Sequence, residues 1–545
     1  MKGYDYDVDE ATIAAARDNF ADRIGMQAVS MSKAGPMTAS NWWRLSGEFL
    51  DYLGALLADT PDLGTPEVRA ALDGPAQAAV GAVTYAAYFR KENFQVFLDY
   101  VGFGISYDDE SEGEPESVTP RQWLDAFCLA ILAGTVERHA EAFFWTRDHR
   151  DAISGALIAY VTDDPEADAV PPPDDHPQIA AIRTVRALAD GDQESFGAGL
   201  ADLLLPHSTS TGPPRTLLPL LPLALAALAR RRAGWEPAIE TDYLAPALVA
   251  GFKDPGPRVE AYGRNRRPDA VAELAAGPVA FDRPELVPPM DPEDQAKWDE
   301  YSRRPWIPGE EPSPWVLSCA MQDQRLLFTG AAWGAADVTD AQMKSLRLAS
   351  RWGATVFRTV LAEPGTVVEL SIDGHTVGFP PYEGHGARDS EWHLAVNLAL
   401  IIGNREDLTP LLLVGSVVLA KDDSIFASYR QALHDHLRGV AAEPAMDRAL
   451  RDGDTARSWG AFPPPAVLLS QLIGGDEESF NLALLDALQA HRAYYGVGDR
   501  ASHETAINLD VLALACHARR QGWAIKVTSP YLPPRLLRHP STECS

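Results

Sequence analysis

GDQESFGAGLADLLLPH (Gly191–His207) returns further along the chain as GDEESFNLALLDALQAH (Gly475–His491), and this pair decides how the protein is built. The two stretches align without a gap at an offset of 284, and nine of seventeen positions agree: Gly, Asp, Glu, Ser, Phe, Leu, Asp, Leu and His. Asp192 stands where a helix N-cap would, and Glu194 follows in the first turn, where a negative charge meets the positive end of the helix dipole. Phe196, Leu200, Leu204 and His207 then recur at spacings of four, four and three, one face of a helix. Phe480, Leu484, Leu488 and His491 repeat that spacing.

Working outward, ARRRAGWEPAIETDYLAPAL (Ala229–Leu248) faces HARRQGWAIKVTSPYLPPRL (His517–Leu536) at an offset of 288. Arg231/Arg519, Arg232/Arg520, Gly234/Gly522, Trp235/Trp523, Tyr243/Tyr531 and Leu244/Leu532 coincide in that alignment. An Ala/Leu helix with basic residues in its last turn, a Gly stop, an extended piece and a Tyr-Leu-x-Pro turn make a compact structural signature. Upstream, WLDAFCLAILAG (Trp123–Gly134) matches WHLAVNLALIIG (Trp392–Gly403) at 269, and Phe89-Arg90 matches Phe357-Arg358 at 268. Four blocks in one order with a slowly growing offset indicate tandem duplication of a unit of about 200 residues, not a short-period solenoid.

Between the copies, Pro255–Pro314 holds twelve prolines in sixty residues, mixed with charge. Proline without apolar periodicity reads as an extended connector, with room for short helices such as Pro268–Ala276. Asp9–Ile24 and Trp42–Leu57 are amphipathic, and Thr366–Phe379 carries two β-branched runs around Asp373-Gly374, a hairpin signal. The expected fold is mainly α: two tandem-duplicated helical domains with a minor β-hairpin, joined by a Pro-rich linker. The boundaries expected are 1–250, 251–315 and 316–545.

Composition narrows the function classes. Against 47 Lys+Arg stand 77 Asp+Glu in 545 residues, a formal net charge of −30. That balance argues against a general nucleic-acid or anionic-membrane binder and suits a basic protein as partner. The longest apolar run, Leu217–Ala229, contains Pro219 and Pro222 and is shorter than the 18–20 or so residues a membrane span needs. Cys128, Cys319, Cys516 and Cys544 form no CxxC pair, and MKGYDYDVDE opens no apolar leader. A reduced, cytoplasmic protein without membrane or nucleic-acid partners is expected.

Chemistry is sought and mostly not found. His503-Glu504 begins like a zincin motif, but Ile507 fills the second histidine position. His434 and His436 are two apart, which on a helix turns them away from each other. No phosphate loop, dinucleotide fingerprint or nucleophile elbow occurs, so neither catalytic residue, cofactor nor metal is expected. Cys319 lies in an apolar run and reads as a small hydrophobe. His207 and His491, retained by both copies, admit acid/base chemistry with Asp202 or Asp486, but a histidine closing an apolar helix face explains them with less. The paired arginines read as complements of a helix C-terminus, with an anion site as the alternative.

Acid is concentrated in Asp108–Glu116, Asp163–Asp168 and Pro171–Pro177. Solvated loops are the bland reading; a surface that neutralises a basic partner is the sharper one. The densest candidate for partner binding is Asp108, Asp109, Glu110, Glu112, Glu114 and Glu116.

The repeated blocks GDEESFNLALLDALQAHRAYY, DVLALACHARRQGW and Tyr531-Leu532-Pro533 resemble the immunity protein 49 family, as do ARDNFADRIG, MSKAGPMTASNWW, YLGALLADTPDLGTPE, YFRKENFQVFLDYVGFG and QWLDAFCLAILAG nearer the start. The resemblance spans most of the chain, rests on structural motifs, and carries over no catalytic residue. It implies a non-enzymatic protein that binds and neutralises a cognate bacterial toxin of a polymorphic-toxin system. Pro219 and Pro222 interrupt the second helix of copy one, so the copies need not bind alike. A helical scaffold for endogenous partners is the alternative reading, and a hydrolase using His207 or His491 the third.

Overall fold

The computed structural model describes residues 8–59, 66–149, 151–162, 178–209, 212–237, 239, 241–252, 256–302, 313–372, 375–382, 388–458, 462–496 and 500–538. The acidic stretches Asp163–Asp168 and Pro171–Pro177, the Asp373-Gly374 turn and Cys544 lie outside the described residues. The chain divides into two compact units, Met1–Pro255 with Val497–Asp499, and Gly256–Gly496 with Arg500–Ser545. Much of the Pro-rich segment thus clusters with unit two.

Among its described residues, unit one opens with α1 (Glu10–Arg17), α2 (Phe20–Ala34), α3 (Ala39–Asp59) and α4 (Pro66–Tyr88). An antiparallel hairpin, β1 (Phe94–Leu98) and β2 (Phe103–Tyr107), leads into α5 (Pro120–Ala133). Then come α6 (Ala140–Trp145), α7 (Ala152–Thr162), α8 (Ile179–Ala189), α9 (Gln193–Leu204), α10 (Leu220–Leu228) and α11 (Pro246–Ala250). The expected helix Asp9–Ile24 is broken into α1 and α2, where Asn19 adopts a left-handed conformation with φ 46°.

Unit two begins with α12 (Pro268–Ala276), β3 (Val279–Ala280) and α13 (Pro292–Ser302). A helix pair, α14 (Pro314–Gly330) and α15 (Asp340–Leu361), is followed by a hairpin, β4 (Val368–Ile372) and β5 (His375–Phe379). The remainder is α16 (Asp389–Ile402), α17 (Arg405–Leu419), α18 (Ala427–Leu437), α19 (Glu443–Ser458), α20 (Ala466–Gly474), α21 (Glu477–Tyr495), α22 (Leu509–Arg520) and β6 (Val527–Thr528). The fold is mainly α. Helix pair, hairpin, buried helix recurs in both units, as α3/α4, β1–β2, α5 and as α14/α15, β4–β5, α16, so the repeat includes a second hairpin that the sequence reading did not find. A two-residue parallel pair, β3 with β6, is the third β element among the described residues.

Local chemistry explains the matching helices. In α5, Thr119 accepts from Gln122 N at 3.2 Å while Gln122 Oε1 accepts from Thr119 N at 2.9 Å, a reciprocal cap with Pro120 at the first position. Gly134 and Gly403 end α5 and α16 at φ 71° and 75°, a conformation that costs glycine little. Asp192 accepts from Ser195 N and Asp476 from Ser479 N, each at 3.0 Å, so the two GD-x-ESF motifs cap their helices identically. Such a cap stabilises a helix by about 1 kcal/mol.

Each unit closes its own core. Trp42, Phe49 and Trp123 are sealed in unit one, Trp352, Trp392 and Phe480 in unit two. The indole N–H of Trp123 donates to Thr146 Oγ1 at 3.0 Å, and that of Trp392 to Leu411 O at 2.9 Å, so neither buried donor is stranded.

Candidate partner-binding surface

The repeat positions chosen from sequence hold matched contacts. Phe196 and Trp235 stand 5.6 Å apart between ring centroids, and Phe480 and Trp523 stand 5.5 Å apart. Tyr243 and Tyr531 are both buried; the Tyr243 hydroxyl donates to His207 O at 2.8 Å.

The arginine pairs bind backbone. Arg231 donates to Ile131 O at 2.8 Å and Leu132 O at 3.2 Å, the last carbonyls of α5. Arg520 donates to Leu400 O and Ile401 O, the corresponding carbonyls of α16. By role, then, Arg231 corresponds to Arg520, not to Arg519 as the ungapped alignment had it. The reason is a one-residue insertion in copy one, absorbed by a π-helical turn at Ala229–Ala233 before Gly234. Arg232 also meets backbone, at Tyr160 O and Val161 O, and Arg519 meets Leu537 O, so each of these guanidiniums is seated on main-chain carbonyls.

The two repeated histidines serve packing as well. His491 is buried on α21, with Nε2 2.9 Å from Thr505 O and Nδ1 3.2 Å from Asn508 Nδ2. Asn508 in turn caps α22, accepting from Val511 N at 3.1 Å. A carbonyl on one side and an amide on the other define a neutral ring with its proton on Nε2. Burial pushes its pKa down to about 4. His207 is half-buried and likewise lowered by burial. Asp486 is taken by Arg258, whose N and Nη1 each lie 2.7 Å from it. Cys128 and Cys516 are buried, and desolvation holds both thiols up, that of Cys516 to about 12. Cys319 lies half-buried on α14.

Among the described residues, no group of three or more His, Cys, Asp or Glu is placed to hold a metal ion. Also among the described residues, no helix is long and apolar enough to cross a membrane.

Asp108–Glu116 forms a loop after β2 whose backbone is fixed and whose acids face outward. Glu114 O accepts from the Tyr85 hydroxyl and Gly113 O from Arg90, each at 2.9 Å. Asp108, Asp109, Glu110, Glu112 and Glu114 are exposed. Glu116 differs: it is half-buried, and its Oε2 accepts from Ser40 N at 2.8 Å in the first turn of α3.

Sequence reasoning missed a polar cluster in unit two. Asp510 on α22 accepts from Asn397 at 2.7 Å and lies 2.9 Å from His393 Nε2, both on α16. Burial pushes the Asp510 carboxyl up, yet the His393 charge and the bonds from His393 and Asn397 hold it below its ordinary value. Arg430, buried on α18, bridges Asp389, Asp422 and Ser424. These residues are scattered over some 120 positions, and in unit one Leu124, Cys128 and Leu221 stand in the places of His393, Asn397 and Asp510. No local motif announces such a cluster.

The model of one family, immunity protein 49, matches residues 140–247 and 335–536, one stretch in each unit and together more than half of the chain. The chain belongs to the immunity protein 49 family. Neither a curated protein nor a solved structure matches it. The family's matched stretches contain the α9/α10 and α21/α22 pairs whose caps, ring contacts and arginine seats repeat between the units. What the family shares with this chain is therefore the scaffold.

Proposed function

We propose that this member of the immunity protein 49 family is a non-enzymatic immunity protein that binds a cognate toxin in the cytoplasm and neutralises it by stoichiometric occupation. The observation that carries the reading is the family match in both units. Two further features support it. His207 and His491, the strongest catalytic candidates, are engaged in packing, with a backbone carbonyl and a capping amide as the partners of His491. The net charge of −30 suits a basic toxin, with encounter steered by the exposed acids Asp108, Asp109, Glu110, Glu112 and Glu114.

Capture from the native host on the intact chain, followed by mass spectrometry, tests this. A toxin recovered at a one-to-one ratio, whose activity the chain abolishes, is the expected result. Recovery of housekeeping proteins alone refutes it in favour of a scaffold. Replacing the five exposed acids with Ser or Asn, and leaving Glu116 to hold α3, should slow association several-fold at low salt and leave folding intact. An unchanged rate removes this loop from the interface.

A further inference from the structure

In unit two, residues 256–283 form a strap across α20, α21 and β6. Arg258 is bound to Asp486, and the Arg266 guanidinium spans Asp476 and Glu478 at 2.6 Å each. Glu260 O accepts from Gln471 at 2.9 Å. The strap ends in β3, where Val279 N donates to Lys526 O and Phe281 N to Thr528 O, each at 2.9 Å. Asn481 clamps the segment leading into β6, donating to Ala524 O at 2.9 Å and accepting from Lys526 N at 2.7 Å. Beneath this layer Ser479, Leu482, Leu485 and Val527 are buried.

The duplicated face in unit one has the same acids and no strap among the described residues. Asp202 stands for Asp486, Asp192 for Asp476 and Glu194 for Glu478. All three are exposed, and among the described residues no cation pairs with Glu194 or Asp202. Ser195 and Ala198, the counterparts of buried Ser479 and Leu482, are exposed, and Ile239, the counterpart of Val527, is only half-buried. Where Asn481 would be, α9 has Gly197, and a Cβ built there meets nothing within 4 Å. A cleft opens beside it, lined by Phe196, Leu200, Ala226, Trp235, Pro237 and Ile239. Two seats on α20 are not repeated on α8: Arg186 replaces Ser470, which accepts from Tyr262 N in unit two, and Ala187 replaces Gln471, which donates to Glu260 O.

We propose that the outer face of α9, with the cleft beside Gly197, is the docking seat for an arginine-bearing extended segment of the partner protein, which occupies in unit one the place residues 256–283 occupy in unit two. The chain itself shows the chemistry of the occupant. Two arginines reach the paired acids at the start of α9 and the single acid two turns on, and apolar side chains of the segment enter the cleft. Complementary charge on both sides of an apolar slot fixes register as well as affinity. The inference rests on the immunity reading for the identity of the partner, and on the internal comparison for the site.

The test uses the intact chain and a labelled synthetic peptide with the sequence of residues 256–282, followed by fluorescence anisotropy. Wild type should bind the peptide, and Glu194→Lys/Asp202→Lys, at exposed positions, should keep the helical circular dichroism of wild type, lower the thermal midpoint only slightly through the charge reversal at the start of α9, and weaken binding at least tenfold. Equal binding by both proteins, or none by wild type, overturns the proposal. Sedimentation supplies the second arm: a concentration-dependent dimer abolished by the same substitutions would make the occupant the strap of a second copy, and overturns the assignment to a partner. Because the peptide assay contains no toxin, the two readings fail separately. A chain that neutralises its toxin through another surface fails only here, and a chain with this seat but no toxin fails only above.

Discussion

Lowering the pH from 7 to 5 should destabilise unit two through one identifiable ring. His491 titrates near 4 in the fold and at an ordinary 6.5 when unfolded, because burial penalises the cation by more than the Thr505 carbonyl and the Asp510 charge favour it. A folded value below the unfolded one means that the stabilisation is complete above about pH 6.5 and is lost as pH falls from there toward 4. At pH 5 the unfolded ring is nearly all protonated and the folded ring nearly all neutral, so about 2 kcal/mol is lost relative to pH 7. His436 and His517 are also lowered by burial, so wild type alone cannot isolate the effect. His491→Gln can, since the amide reaches the same carbonyl and does not titrate. Hydrogen exchange of α21 and α22 peptides in urea, at both pH values, gives the two stabilities. The variant should lose about 2 kcal/mol less than wild type between pH 7 and 5. Parallel losses would refute the claim that the fold holds this histidine neutral.

Arg520→Ala should cost unit two about 3 kcal/mol in urea unfolding, because two carbonyls at the end of α16 lose a charged donor. Arg520→Lys should recover only part of it, since one ammonium does not match a two-carbonyl fork. Phe480→Ala opens a cavity against Trp523 and should cost about 3–5 kcal/mol by the same measurement. Gly197→Ala should raise the stability of unit one by about 0.5–1 kcal/mol from helix propensity, since the added Cβ meets nothing within 4 Å; a loss would show that the slot beside α9 is already filled.

The helices were legible because their signals are local. An N-cap aspartate and apolar residues at spacings of four, four and three mark α9 and α21, and a glycine follows the basic turn at the end of α10 and of α22; the four helices formed where those signals stood. The hairpin β1–β2 was not seen because FQVFLDYVGFGISY has glycines and aromatics in place of clean alternation; its register is set by Tyr107, which donates to Met37 O and accepts from Trp42 Nε1 at 2.8 Å each, residues far away in sequence. The Arg231–Arg520 correspondence was displaced by one residue because no alignment without gaps represents a π-turn. The strap escaped for a different reason. Proline density describes the chain's local stiffness and says nothing of Arg258, Arg266 or Arg283 finding acids and carbonyls more than 200 positions away.

Two glycines in α9 separate packing from function. Gly199 has a steric reason: a Cβ there would come within 2.2 Å of Thr184 Oγ1 on α8, so the helices approach only because that position is bare. Gly197, two residues earlier, has none. Its Cβ would stand in open space, and glycine inside a helix costs about 0.5–1 kcal/mol relative to alanine. Copy two places Asn481 at that position, with three hydrogen bonds to backbone. A residue that destabilises its helix, relieves no clash and lacks its counterpart's contacts does one evident thing, which is to leave the slot beside Phe196 and Trp235 unfilled. The counterparts of the acids that hold Arg258 and Arg266 in unit two are exposed on α9, and among the described residues no cation pairs with Glu194 or Asp202, so the same duplication that closed one face left the other ready to be closed by something else.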